Sequence, residues 1–97
     1  MVKLNWKDSN DGKSSGARAS RAVRGEYWLH CRPSYTNWSG EIIEVFFEVE
    51  YRRNSRCDWR RVYIPSLCGR PRTLAEAKQR AEEDCERRQR ERQQAEL

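Results

Sequence analysis

From Ile42 to Tyr51 apolar and polar residues alternate strictly. One set of positions reads Ile43, Val45, Phe47, Val49, Tyr51; the other reads Ile42, Glu44, Phe46, Glu48, Glu50. This period of two in β-branched and aromatic residues predicts a half-buried strand with the first set turned inward. "EYWLHC", 26–31, predicts an earlier strand with Tyr27 and Leu29 inward and Trp28 and His30 outward. "RPSYTNWSG", 32–40, punctuated by Pro33 and Gly40, predicts the loop between them. "RRNSRCD", 52–58, reads as a turn with Asn54-Ser55 at its tip, and "WRRVYI", 59–64, as a returning strand that Pro65 ends. With Val62 and Ile64 inward, Trp59, Arg61 and Tyr63 join the outer face.

The period changes after Pro71. Thr73-Leu74-Ala75-Glu76 has the form of a capping box, in which the Thr hydroxyl and the Glu carboxylate satisfy orphan backbone N–H groups. Leu74, Ala77, Ala81 and Cys85 follow at helical spacing, a narrow stripe of mostly small residues suited to close packing on a sheet. The stripe stops at Cys85, so a helix from 73 to about 90 is expected, spanning roughly 27 Å against roughly 33 Å for ten strand residues.

These elements predict an α+β fold: a three-stranded antiparallel sheet packed on one C-terminal helix. Residues 1–24, rich in Ser, Gly, Lys and Arg, read as a flexible basic arm, with Leu4-Asn5-Trp6 as a short docked segment. Residues 25–90 form the strand-strand-strand-helix domain, and 91–97 a frayed charged tail.

Composition adds a basic, aromatic character. Of 97 residues, 36% are hydrophobic and 36% charged, with four Trp and four Tyr. The core is therefore modest and aromatic, within one domain. The net charge is +5, of which residues 1–25 carry +4, residues 26–72 carry +2 and residues 73–97 carry −1. The positive excess lies in the arm and the hairpin, which favours a polyanionic partner such as DNA or RNA. Arg52, Arg53, Arg56, Arg60 and Arg61 fall within ten positions, and guanidinium forks match phosphate geometry. Arg21 and Arg24, with Lys3, Lys7, Lys13 and Arg18, supply the arm's share. The structural alternative is a solvated turn that resists edge-to-edge pairing.

Cys31, Cys57, Cys68 and Cys85 are separated by 26, 11 and 17 positions. No metal-knuckle spacing arises, so neither a zinc site nor any other cofactor is expected. The absence of an apolar N-terminal run, together with reduced cysteines, points to a cytoplasmic protein with no membrane partner.

The outer face is expected to mix Glu44, Glu48 and Glu50 with Trp28, Phe46, Trp59 and Tyr63. Paired carboxylates alone do not make an enzyme: no nucleophile or oxyanion donor accompanies them, and Arg61 is placed to pair with them across the strands. No catalytic residue is assigned. The exposed aromatics have three explanations: a covering N-terminal segment carrying Trp6 and Val23, a protein partner or second copy, or bases stacked on Trp28, Trp59 or Phe46.

The order of elements, the "GEI" that starts the long strand at 40–42, the basic hairpin and "TLAEAKQRAEED" at the helix start resemble two families. These are the plant ethylene-response DNA-binding domain and the arm-binding domain of phage integrases, and the helix start is shared with small phage and prophage proteins. The resemblance covers residues 26–85. It implies three strands on one helix, with the exposed sheet face entering the major groove through Arg and Trp side chains. Trp28, Trp59 and Arg61 would occupy that face, where Glu44, Glu48 and Glu50 depart from the families' pattern.

Two functions are expected. One is a small nucleic-acid-associated protein gripping phosphates with Arg52, Arg53, Arg56, Arg60, Arg61, Arg21 and Arg24. The other is a protein-interaction module, such as a phage-type accessory or inhibitor protein. It would use the acidic-aromatic face of Trp28, Phe46, Trp59 and Tyr63, as a possible homodimer.

Overall fold

A computed structural model describes residues 2–62 and 69–95. Strands β1 (Lys7–Asp8), β2 (Ser14–Arg18), β3 (Glu26–Arg32), β6 (Phe46–Arg52) and β7 (Arg60–Arg61) form one antiparallel sheet in the order β1-β2-β3-β6-β7. Between β3 and β6, strands β4 (Tyr35–Thr36) and β5 (Ile42–Ile43) make a separate two-stranded hairpin. Helix α1, Leu74–Ala95, packs on β3 and β6.

The α+β class and the packing of helix on sheet agree with expectation; the number of strands does not. The sheet has five strands rather than three, because segments expected in a flexible arm are paired. β2 runs along five of the seven residues of β3, from Ser14 opposite His30 to Arg18 opposite Glu26, and β1 adds Lys7 opposite Gly16. "SSGAR" carries no β-branched or aromatic residue, so nothing local marks it as a strand. Its small side chains suit a tight fit: Ser15 and Ala17 are buried against their neighbours.

The register between β3 and β6 puts the expected inner positions together: Tyr27 opposite Tyr51, Leu29 opposite Val49, Cys31 opposite Phe47. Tyr27, Leu29, Phe47, Val49 and Val62 are buried against Ala77, Ala81 and Cys85 of α1. Each large aliphatic or aromatic side chain buried there stabilises the fold by about 1.5–3 kcal/mol before entropy is counted. Alanine at the contact lets the helix backbone approach the sheet closely, as the small-residue stripe predicts.

The expected ten-residue strand is broken. Val45 is 42% exposed and Ile43 half-buried, so neither joins the core as expected. The apolar stripe of α1 begins only at Leu74, and the chain leading into it passes β6, where the Phe47 N–H donates to the Pro71 carbonyl at 2.8 Å. Positions before Phe47 have no helix to face, and Ile42–Ile43 pair with Tyr35–Thr36 instead.

The helix start behaves as a capping box shifted by one residue. The Glu76 N–H donates to Thr73 Oγ1 at 3.1 Å, and the Glu76 carboxylate reaches back to the Arg72 N–H at 2.8 Å. The helix continues to Ala95, past the expected end near 90 and into the segment expected to fray. Polar side chains hold its C-terminal half on the β2–β3 connection and on β6. Arg92 donates to the Ala22 carbonyl at 2.5 Å, and the Arg88 guanidinium lies 4.1 Å over the Tyr51 ring.

Leu4 and Trp6 dock as expected, but along α1 rather than over the outer sheet face. The Leu4 N–H and the Trp6 indole N–H both donate to Glu82 Oε2, at 2.8 and 3.3 Å. Val23 belongs to the core. Among the described residues no helix is long and apolar enough to cross a membrane.

Candidate functional site

The outer sheet face is organised in cross-strand rows. Lys7, Gly16, Trp28, Glu50 and Arg61 form one row across all five strands. Arg18, Glu26 and Arg52 form the next, and Ser14, His30 and Glu48 the one on the other side. Directly opposed residues in an antiparallel sheet point to the same face, so these side chains meet.

They meet as a tiled layer. The Trp28 and His30 rings stack at 4.4 Å, and Trp28 tilts against Trp59 at 5.9 Å. Arg52 ion-pairs with Glu26 and lays its guanidinium 4.4 Å over Trp59, while Arg70 covers Phe46 at 4.5 Å. His30 Nε2 lies 3.2 Å from both Glu48 Oε2 and Glu50 Oε1. Arg32 and Arg61 each reach Glu48 Oε1 at 3.2 Å, so the carboxylates of this face are answered by their own chain, Arg61 included as expected. Glu44 instead stands at the strand break, ion-paired with Arg72.

Beside this layer is an open-sided cavity of about 700 Å³. Lys3, Lys7, Arg18 and Arg21 line it together with Trp28 and Trp59. The space exists because Gly16 stands in the row between Lys7 and Trp28 and contributes no side chain. A Cβ there would meet only the Tyr27 carbonyl oxygen, at an ordinary 3.7 Å. None of the four cations enters an ion pair among the described residues.

The predicted nucleic-acid residues divide. Arg52 and Arg61 are committed to Glu26 and Glu48. Arg53, Arg56, Arg60, Arg21 and Arg24 are exposed and enter no ion pair among the described residues. Of these only Arg21 lines the cavity; Arg53 borders a second one, with Arg88 and Arg92 on the helix side. The predicted interface residues Trp28 and Trp59 meet at the cavity, Phe46 lies further along β6 under Arg70, and Tyr63 is outside the described residues. Trp28 remains 39% exposed, and the N-terminal segment does not cover it.

A second polar network lies on the other side of the sheet. Asp84 accepts from Tyr27 Oη, Arg87 and Arg88 at 2.6, 2.5 and 2.7 Å. Burial, with the hydrogen bond to Asp84, pushes the Tyr27 hydroxyl far above the ordinary tyrosine range. This network fixes helix to sheet.

Sequence reading placed His30, Glu48 and Glu50 on one face but not at one point. The signal was the equal spacing of 28/30 and 48/50 on two adjacent strands, which becomes a contact only once the register is set.

No family model matches the chain, and neither curated proteins nor solved structures match it.

Proposed function

We propose that this chain is a non-enzymatic binding protein for single-stranded nucleic acid. Lys3, Lys7, Arg18 and Arg21 take the phosphates, and Trp28 and Trp59 stack the bases. The observation that carries this reading is the cavity that gathers around two tryptophans four cations that have no ion pair among the described residues. Aromatic faces next to cations are the recurrent means of holding unpaired strands, because every base has a face to stack and every nucleotide a charge to meet. The acidic character of the outer face does not oppose it, since Glu26 and Glu48 are paired with Arg52, Arg32 and Arg61, and Glu50 lies against His30. Titration of the chain with a labelled oligonucleotide of mixed sequence, single- and double-stranded, tests it. The expected result is tighter binding of the single strand, quenched tryptophan emission, and affinity that falls steeply as salt rises. Equal or absent binding of the single strand in low salt refutes it.

A second reading is favoured by the β4–β5 hairpin. Trp38 at its tip is 99% exposed and Ile42 73%, on a sheet that has two strands and no third among the described residues. The edge of such a sheet is a template for a second copy of the chain. Light scattering across concentration tests it, with Trp38→Ser expected to abolish a dimer.

A further inference from the structure

We propose that His30, Glu48 and Glu50 form a binding site for a divalent transition-metal ion, Zn²⁺ foremost.

The sheet register assembles the donors. His30 on β3 is directly opposite Glu48 on β6, and Glu50 follows two positions along, so the period of two returns it to the same face. His30 Nε2 lies 3.2 Å from Glu48 Oε2 and 3.2 Å from Glu50 Oε1, and the three donor atoms all lie within 4.8 Å of one another. A tetrahedral ion with bonds of about 2.0–2.1 Å sets its ligand atoms about 3.3 Å apart. Two of the three edges are therefore already at the length a zinc ion imposes.

The second observation is the state of Glu48. It keeps only 9% of its surface, and its Oε2 is buried and makes no hydrogen bond among the described residues, although His30 Nε2 stands 3.2 Å from it. A buried carboxylate oxygen normally takes a donor. The other oxygen of the same carboxylate, Oε1, forms ion pairs with Arg32 Nε and Arg61 Nη2, each at 3.2 Å. These two cations fix the carboxylate plane and leave Oε2 directed at His30, the orienting task that neighbours of metal ligands perform. Their own charge is spread into water, Arg32 and Arg61 both being exposed. Trp28, stacked on the imidazole at 4.4 Å, holds the ring in the plane that presents Nε2.

The donor set selects the ion. One imidazole with two carboxylates and no thiolate suits Zn²⁺, Co²⁺ or Ni²⁺, whereas Mg²⁺ and Ca²⁺ prefer oxygen alone. Three protein ligands leave a fourth position for water or an incoming anion. The site does not depend on the nucleic-acid reading, and metal alone is the probe.

The full chain, kept reduced, is dialysed against Zn²⁺ and against Co²⁺ and its bound metal measured. The expected result is a single equivalent of either ion. Bound Co²⁺ should show visible d–d bands without the near-ultraviolet absorption of a thiolate ligand, which separates this site from the four cysteines. The isosteric Glu50→Gln should weaken binding about tenfold or more, and His30→Gln should do the same, with circular dichroism as the check on folding. The proposal falls if the folded wild-type chain retains neither ion, if thiolate absorption accompanies Co²⁺, or if folded Glu50→Gln binds as tightly as the wild type.

Discussion

Tyr27 on the central strand donates a 2.6 Å hydrogen bond to Asp84 on the helix, across 57 positions of sequence and within the buried interior. The pair is the polar pin of an otherwise apolar contact. Three donors converge on Asp84 there. Removing the two partners should have unequal effects. Tyr27→Phe keeps the ring packing and leaves Asp84 with Arg87 and Arg88, so a loss of about 1–2 kcal/mol is expected. Asp84→Ala strands the buried hydroxyl and frees two arginines at once, and about 3 kcal/mol or more is expected. Urea denaturation of the two variants, followed by tryptophan fluorescence, gives the comparison; equal losses would contradict the pinning role.

The same pair makes the fold sensitive to alkali. The Tyr27 hydroxyl titrates higher in the folded chain than in the unfolded one. A group raised on folding contributes stability that is complete below its unfolded value and declines as pH climbs above that value towards the folded one. The decline should begin above about pH 10, the ordinary tyrosine value. Denaturation midpoints measured upward from neutral pH should fall there in the wild type and fall less in Tyr27→Phe.

Gly25 sets the turn from β2 into β3. It has φ +95°, and a Cβ there would lie 2.4 Å from the Arg52 carbonyl and 2.8 Å from Tyr51 Oη. Both the backbone region and the space exclude a side chain. Tyr51 Oη also donates to the Arg24 carbonyl at 2.7 Å, so displacement would break a second tie. Gly25→Ala is expected to destabilise by about 2 kcal/mol or more, seen as a lower melting temperature. Gly12→Ala, with φ +68° but nothing within 4 Å, should lose less.

What was legible in the sequence follows from the range of each interaction. Alternation along β3 and β6 and the spacing of Ala77, Ala81 and Cys85 are local signals, and they placed the core and both sheet faces. Phe47, Val49, Tyr27 and Leu29 lie where that pattern put them. Pairing partners are not local. Ser14–Arg18 is a strand because β3 offers it an edge, and Ile43 leaves the long strand because α1 does not extend over it. The site suffered accordingly. Trp28 and Trp59 were readable as outward aromatics, and the basic charge of residues 1–25 was readable as a sum. That Lys7 and Arg18 stand in rows with Trp28 and Arg52 required β1 and β2, which no periodicity announced.

The groove reading separates from general basicity by mutation. Each phosphate contact removed from a single-strand complex lowers the slope of log affinity against log salt by about 0.7. Arg18→Ser and Lys7→Ser should each reduce the slope by about that amount, and Trp28→Ala should weaken binding by about 1–3 kcal/mol with the slope preserved. Arg53→Ser and Arg56→Ser, in the basic turn but off the cavity, should leave both quantities unchanged. Gly16→Val is the sharpest variant. Its Cβ meets only an ordinary contact and its branched side chain suits a strand, so the fold should hold. The new side chain rises between Lys7 and Trp28, and binding should drop about tenfold or more through lost stacking. Were the turn arginines to carry the salt dependence while Gly16→Val bound normally, the nucleic acid would lie on the hairpin and not in the groove.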